Sequence, residues 1–263
     1  MCKGVGEKLK ILLLTVAGVS SRFCKSIGKT YLKCIYYKNS IKESLLYHMI
    51  FEREKFDKYI IVGGFKFDEL KEVLKKEFKE YYQKIILIEN QYYREYGSCY
   101  SLYLGVKAAI EIGADEIVFA EGDLYVDKEN FSKVFKSCNN VITYNNIPIL
   151  ANKAVVFYYN YKDKLHYIYD TNHDLLEIKE PFRAIFNSGQ IWKFIDIYRL
   201  SRVVNEIEKE SWKGTNLIII QSYFDGLSRQ QYEMIGFQKW INCNTIEDFN
   251  QIEGEDKEYG KIR

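Results

Sequence analysis

Short apolar runs alternate with amphipathic ones through the first half of the chain. Lys10–Thr15 (KILLLT), Tyr59–Val62 (YIIV), Lys84–Ile88 (KIILI) and Glu116–Ala120 (EIVFA) read as buried strands. Between them Glu43–Glu52 and Ser98–Ile112 have helical spacing, and Phe67–Tyr81 puts Leu70, Val73, Leu74 and Phe78 on one face of a charged helix. This β-α-β-α-β-α-β order predicts an α/β fold: a three-layer, Rossmann-like, mixed but mainly parallel sheet with helices on both faces. Ligands of such sheets sit at the carboxyl ends of the strands, which directs attention to the loops after Thr15, Ile88 and Ala120.

The second half is less regular. Val141–Tyr144, Ala154–Tyr159 and Leu165–Tyr169 have strand character, the last two as a hairpin, and Ile191–Phe194 is a further candidate. Ile195–Glu210 and Asn216–Leu227 are helical in spacing. Trp240–Cys243 reads as a late strand and Ile246–Ile252 as a closing helix, with a polar tail, Glu253–Arg263, expected to fray. Without repeats or linker-like tracts, residues 1–263 read as one domain: a nucleotide-binding half over about 10–135 and a mixed half over about 136–250.

Composition narrows the class. The 263 residues are 47% hydrophobic and 28% charged, with 23 Tyr, 16 Phe and 3 Trp, which excludes intrinsic disorder. The longest apolar run, Ile11 to Val19, is far short of a bilayer span, so no membrane association is expected. The net charge of +2 gives no case for nucleic acid. Six scattered Cys and three unclustered His lack the spacing of a zinc site. Reduced thiols and a cytoplasmic location are the simplest expectation.

Five segments could carry chemistry. The loop Ala17-Gly18-Val19-Ser20-Ser21-Arg22-Phe23 follows the first strand. A small turn of this kind lets backbone N–H groups approach a phosphate, and Arg22 adds a fixed cationic fork. Lys33 sits beside Leu32 and Ile35, so its position should be better fixed than those of Lys25 and Lys29, which suit a solvated surface. Asn90 to Leu102 follows the third strand and opens a helix. Ser98 is expected as its N-cap, where N–H groups are free, and Asn90 and Ser101 could read a base edge or ribose. Glu121-Gly122-Asp123 ends the fourth strand, where Asp123 could hold Mg²⁺ against substrate phosphates. Near the end, Asn244 or Thr245 could cap a helix, and Asn244 could be a second oxygen ligand for the metal. Each segment also fits plain structure: a strand-to-helix turn, a capped helix or an Asp-containing turn.

Their order resembles the sugar-nucleotide-type nucleotidyltransferases of GT-A fold, most closely the cytidylyltransferase branch that includes bacterial phosphocholine cytidylyltransferase. The first motif of that branch, Ala-Gly-x-x-Ser-Arg-Phe/Leu, is similar to Ala17–Phe23, and its Pro-Lys to Leu32-Lys33 without the Pro. Asn90, Tyr93, Ser101, Leu102, Tyr103 and Leu104 match a second motif whose central Asn-Asn is Gly97-Ser98 here. Glu121-Gly122-Asp123 matches the strand end, and the late acidic metal ligand falls on Asn244, ahead of Asp248-Phe249. The resemblance spans residues 10–135 and, more loosely, 238–250.

The resemblance implies that a phosphate monoester attacks the α-phosphate of an NTP, CTP in this branch, with release of pyrophosphate, in the synthesis of cell-surface polysaccharide or lipid precursors. Arg22, Lys33 and Asp123 are then the catalytic candidates. Ala17, Gly18, Val19, Ser20, Ser21, Asn90, Ser98, Ser101 and Glu121 bind nucleotide, and Asp123 with Asn244 holds Mg²⁺. The expected partners are small molecules alone, the NTP and a phosphate monoester. For a phosphocholine-like acceptor, Tyr158, Tyr169, Asp170 and Trp192 could form an aromatic cage with a carboxylate, although strand aromatics more often simply pack on a sheet face. A sugar-1-phosphate acceptor, a GT-A glycosyltransferase and a non-catalytic nucleotide sensor are the alternatives. The glycosyltransferase is disfavoured because Asp123-Leu124-Tyr125-Val126-Asp127 lacks the Asp-x-Asp spacing.

Overall fold

The computed structural model describes residues 8–51, 53–151, 155–168 and 175–259, with the backbone alone for 253–259. In chain order the elements are β1 (Lys10–Thr15), α1 (Ser21–Ile27), α2 (Leu45–Phe51), β2 (Lys58–Gly63), α3 (Phe67–Glu77), α4 (Lys79–Tyr82), β3 (Ile85–Glu89), α5 (Ser98–Glu111), β4 (Glu116–Glu121) and β5 (Leu124–Val126). There follow α6 (Lys128–Lys136), β6 (Asn140–Asn145), β7 (Val156–Asn160), β8 (Leu165–Ile168), β9 (Phe182–Phe194), α7 (Ile197–Glu206), α8 (Leu217–Phe224), β10 (Tyr232–Phe237), β11 (Trp240–Asn242) and α9 (Ile246–Tyr259).

Nine strands form one sheet, whose main row runs β10-β6-β9-β4-β1-β2-β3, with β7 added beside β9 and β8 beside β7. The pairs β1–β2, β1–β4, β2–β3 and β10–β6 are parallel, and β9 runs against β4, β6 and β7. The expected mainly parallel α/β sheet is therefore present, with β9 as the reversed strand in its row. The continuous apolar runs have a simple cause. In β1, Ile11 and Leu13 face one core, with α5, α7 and α8, while Leu12 and Leu14 face another, with α2, α3 and α6. Strands buried on both faces need apolar side chains at every position. A third, small core gathers Phe23, Leu45, Tyr125, Cys243, Phe249 and Ile252, tying α1 and α9 to the β5–β11 ribbon.

Several boundaries differ from expectation. The helix expected over 67–81 breaks at Phe78, whose side chain is fully buried at a backbone φ of −110° and ψ of 34°. The strand expected over 191–194 is the end of the 13-residue β9. β5 and β10 lack a strand-length apolar pattern: β5 is three residues long, and β10 carries Glu233 and Gly236 in a half-exposed edge strand. The tail expected to fray from residue 253 continues as α9 to Tyr259. Cys24, Cys34, Cys99 and Cys243 are free thiols. Among the described residues no helix is long and apolar enough to cross a membrane.

Candidate active site

β1 and β4 are adjacent and in register to their ends, with Thr15 opposite Glu121. The loops after both strands therefore emerge together. A cleft of about 380 Å³ opens there. It is lined by Thr15 to Ser20, Leu32 to Cys34, Asn90, Tyr93, Tyr96 to Ser98, Ser101 and Glu121 to Asp123. An adjoining hollow of about 190 Å³ shares Ser20, Lys33 and Asp123 with it and adds Arg22 and Asn244.

The first loop is held by backbone bonds. Val16 N donates to Val62 O, and Phe65 N donates to Ala17 O. Ser20 then takes a left-handed backbone, φ 53°, and starts α1 without a side-chain cap. Lys33 opens a 3-10 turn in which its neighbours Leu32, Cys34 and Ile35 are all buried. Those anchors fix its backbone, and its Nζ reaches the site. Asp123 lies in the turn between β4 and β5, which requires Gly122: a Cβ there would stand 2.2 Å from Val16 Cγ1 and 2.8 Å from Thr15 O.

The pairing of β5 with β11 brings the distant end of the chain to the site. Cys243 N donates to Asp123 O at 2.8 Å, and Asn244 follows directly. Asp248 accepts from the backbone N–H groups of Asn244 and Thr245, both at 2.8 Å, and so locks this turn at the start of α9. Lys33 Nζ lies 2.9 Å from Asp123 Oδ2 and 3.3 Å from Asn244 Oδ1, to which Arg22 Nη2 also donates at 3.0 Å. Arg22, Lys33, Asp123 and Asn244 are thus one cluster.

Asp123 Oδ1 is buried without a hydrogen-bond partner among the described residues. A buried carboxylate oxygen so placed is costly unless something binds it. With the carbonyl of Asn244 it offers hard oxygen donors. Among the described residues no group of three or more His, Cys, Asp or Glu could hold a metal unaided. A cation here would complete its shell from phosphates and water, as Mg²⁺ characteristically does.

Glu121 sits on the cleft floor and accepts from Asn216 Nδ2 at 2.8 Å. Loss of water around its carboxyl, and then the nearby Asp123 carboxylate, push its pKa up to about 7 against the Asn216 bond and Lys33. Asn90 and Ser101 both line the cleft, but Asn90 Nδ2 donates to Ser101 Oγ at 2.9 Å and Asn90 Oδ1 accepts from Tyr92 N. Ser98 is not the N-cap of α5. That position is Gly97, which has no side chain to cap with, and Ser98 Oγ instead accepts from Asn216 N. Nor are the first N–H groups all free: Gly97 N donates to Trp212 O and Cys99 N to Gly214 O. A Cβ on Gly97 would lie 2.1 Å from Gly214 O, which explains a glycine there.

The acceptor-side expectation is corrected at Trp192. Trp192 is fully buried, stacked on Phe119 at 5.4 Å and donating Nε1 to Tyr167 OH. Its strand β9 turns it into the core between the sheet and α8. Tyr158 is half-buried and does not line the cleft, and its hydroxyl donates to Glu180. Tyr169 and Asp170 lie outside the described residues. Sequence reasoning missed Asn216, Asn242 and Gln190. Only Gln190 had a local signal, since Gly189 interrupts a strand and a strand glycine often marks a bulge.

A model of one protein family matches residues 29–256, most of the chain. The chain belongs to the family described as "Domain of unknown function (DUF6564)". No curated protein matches its sequence. Solved structures do resemble this DUF6564 member. The inositol-1-phosphate CTP transferase from T. maritima is 15% identical with a TM-score of 0.64, covering 94% of this chain and 96% of its own. A protein assigned as a glucose-1-phosphate thymidylyltransferase, from Bacillus anthracis, gives 15%, 0.66, 93% and 94%. The CTP:phosphocholine cytidylyltransferase from Streptococcus pneumoniae gives 15%, 0.61, 93% and 98%. At that identity the likeness establishes a shared fold alone.

Proposed function

We propose that this DUF6564 protein is a nucleotidyltransferase that couples an NTP, preferentially CTP, to a small phosphate monoester such as phosphocholine or a related phospho-alcohol. An oxygen of the monoester would attack the α-phosphorus, forming a new P–O–P link. The bond between the α-phosphorus and its bridging oxygen would break, and pyrophosphate would leave. The observation that carries this reading is the cluster of Arg22, Lys33, Asp123 and Asn244 at the mouth of the cleft, beside the small-residue loop after β1.

Such a transfer needs positioning and charge neutralisation rather than a covalent intermediate. Arg22 and the Gly18–Ser21 backbone would hold the β- and γ-phosphates. Lys33 would leave Asp123 to neutralise the α-phosphate and the incoming monoester. Asp123 and Asn244 would hold Mg²⁺, which when bound supplies further neutralisation of the phosphates. Residues 10–135 would hold the nucleotide and 136–250 would complete the acceptor side. CTP is preferred on the sequence resemblance and because two of the three similar solved structures are CTP-using transferases by name, and the acceptor class on the same resemblance.

Pyrophosphate release from each of the four NTPs, with a panel of phospho-alcohols and sugar-1-phosphates plus Mg²⁺, tests this. Release with CTP and a phospho-alcohol supports the full reading. Release only with a sugar-1-phosphate moves the acceptor class. Binding of nucleotide without release under any pairing would replace the enzyme by a sensor.

A further inference from the structure

The cleft and the smaller hollow beside it share Ser20, Lys33 and Asp123, and of these three only Lys33 carries a positive charge. Its backbone is pinned at this boundary. Ile35 N donates to Leu32 O and Tyr36 N to Lys33 O, closing the 3-10 turn. Leu32, Cys34 and Ile35 are buried around it. A flexible four-carbon stem lets the ammonium turn about that fixed point, toward either hollow.

The ammonium lies where the proposed metal would bind. Its Nζ is 2.9 Å from Asp123 Oδ2 and 3.3 Å from Asn244 Oδ1, the same two side chains assigned to Mg²⁺. The pair is sheltered, with the Lys33 side chain 12% and the Asp123 side chain 23% exposed. Arg22 places a second cation on Asn244 Oδ1, at 3.0 Å. The other end of that amide is in use as well, since Asn244 Nδ2 donates to Asn242 Oδ1 at 2.7 Å. A metal at the usual ~2.1 Å from Asn244 Oδ1 would stand within about 5.4 Å of the Lys33 Nζ. Asp123 Oδ1, unpartnered among the described residues, gives no escape, because it belongs to the same carboxyl group. At that range, in a half-buried site, a +2 and a +1 charge repel strongly.

We propose that Lys33 is the free chain's own stand-in for the divalent cation: its ammonium keeps metal from Asp123 and Asn244 until a triphosphate draws it into the cleft. The inference rests on the metal site of the proposed function and adds a condition to it. Lys33 and metal compete for one carboxylate, so metal alone binds poorly. Phosphate oxygens supply the charge-assisted hydrogen bonds that release Lys33 from Asp123. Their negative charge then offsets the repulsion between the ammonium and the metal. The same side chain thus opposes the metal in the free chain and accompanies it once the nucleotide is bound.

Mn²⁺ alone is the probe, followed by water-proton relaxation on the full chain at low salt without nucleotide, alongside a thermal melt. Lys33→Met keeps the stem and removes the charge, and should tighten Mn²⁺ at least ~10-fold. Lys33→Gln, which can still hydrogen-bond to Asp123, should do the same should methionine loosen the fold. Lys33→Arg keeps the charge and should leave Mn²⁺ as weakly bound as in the wild type. Metal-free inorganic triphosphate should shift the opposite way, bound at least ~10-fold more weakly by Lys33→Met. Mn²⁺ affinity at or below wild type in folded Lys33→Met and Lys33→Gln, or equal tightening in Lys33→Arg, overturns the inference. A gain from Lys33→Met that survives in an Asp123→Asn background places the metal elsewhere, and removes the proposed metal site and the inference together. With CTP bound, Asp123→Asn should lose Mn²⁺ affinity whatever Lys33 does, which separates the metal site from its stand-in. No turnover is measured, so a failure to release pyrophosphate would sink the proposed reaction without altering these results.

Discussion

Strand β4 begins with one glutamate and ends with another, and the two live in opposite circumstances. Glu116 meets Lys193 Nζ at 2.7 Å and Lys8 Nζ at 2.9 Å. Lys193, itself 1% exposed, also donates to Phe135 O and Ser137 O. Burial works to raise the pKa of Glu116, but the two ammoniums outweigh it and hold the carboxyl below its ordinary value. At the other end Glu121 has, among the described residues, only an amide for a hydrogen-bond partner, a second carboxylate two residues on, and a pKa raised to about 7. Asp123 there leaves an oxygen unpartnered among the described residues, and Ser20 and Gln190 hold left-handed backbones. One end of the strand is a completed structural ion pair. The other is strained, under-satisfied and open to a cleft, which is the condition of a site awaiting a ligand.

The largest effect should come from breaking the completed end. Glu116→Gln leaves the Lys193 ammonium buried without its counter-ion and should lower stability by about 3–5 kcal/mol. Urea unfolding measures this, and pyrophosphate release per folded molecule should stay at the wild-type level. A loss below ~1 kcal/mol would mean the pair is no better than a surface bridge. At the open end the pattern should reverse. Lys33→Ala should lower turnover by ~10²–10³-fold, the usual result of removing one preorganised charge, with little change in melting temperature. Normal turnover in that variant refutes the assignment.

Gly122→Ala should affect both properties. The new Cβ forces apart the ends of β1 and β4, which should destabilise by about 1–3 kcal/mol and reduce turnover as well. The smallest signals should be the pH slopes, which are spread over several units and shared with other carboxylates. The Glu116 pKa is depressed, so its contribution is present above the ordinary value near 4.5 and is lost as pH falls below it. The Glu121 pKa is raised, so the folded state holds its proton longer and stability declines as pH rises from 4.5 to about 7. Unfolding curves of Glu116→Gln should lack the first slope, and those of Glu121→Gln the second. An unchanged slope in either variant would show that the contrast between the two ends is not electrostatic.

Much of the Arg22–Lys33–Asp123 cluster, as a place in the fold, could be read along the chain, because each part sits at a strand end or an anchored turn. Gly18 to Arg22 follow β1, Glu121 to Asp123 follow β4, and Lys33 is fixed by three buried neighbours. The acceptor-side reading fared worse. In a strand of four residues, as the spacing over 191–194 predicts, Trp192 is available as a free aromatic. As part of a 13-residue strand it lies between two layers, with its indole N–H used on Tyr167. Gln190 and Asn216 carry no chemistry of their own in sequence, since an amide becomes informative only when its partner is known.

The chain by itself determined the alternation of strands and helices, the two-sided burial of the central strands and the loops that carry charge. Those depend on side-chain spacing over a few residues, where pattern and structure are nearly the same thing. Only the tertiary structure decided that Cys243 meets Asp123 and sets Asn244 beside it, that Asn216 meets Glu121 and that a bulge turns Gln190 toward Asn242. Such contacts join residues about 50 to 120 positions apart through strand pairings and turns, and no local property of either residue encodes the meeting.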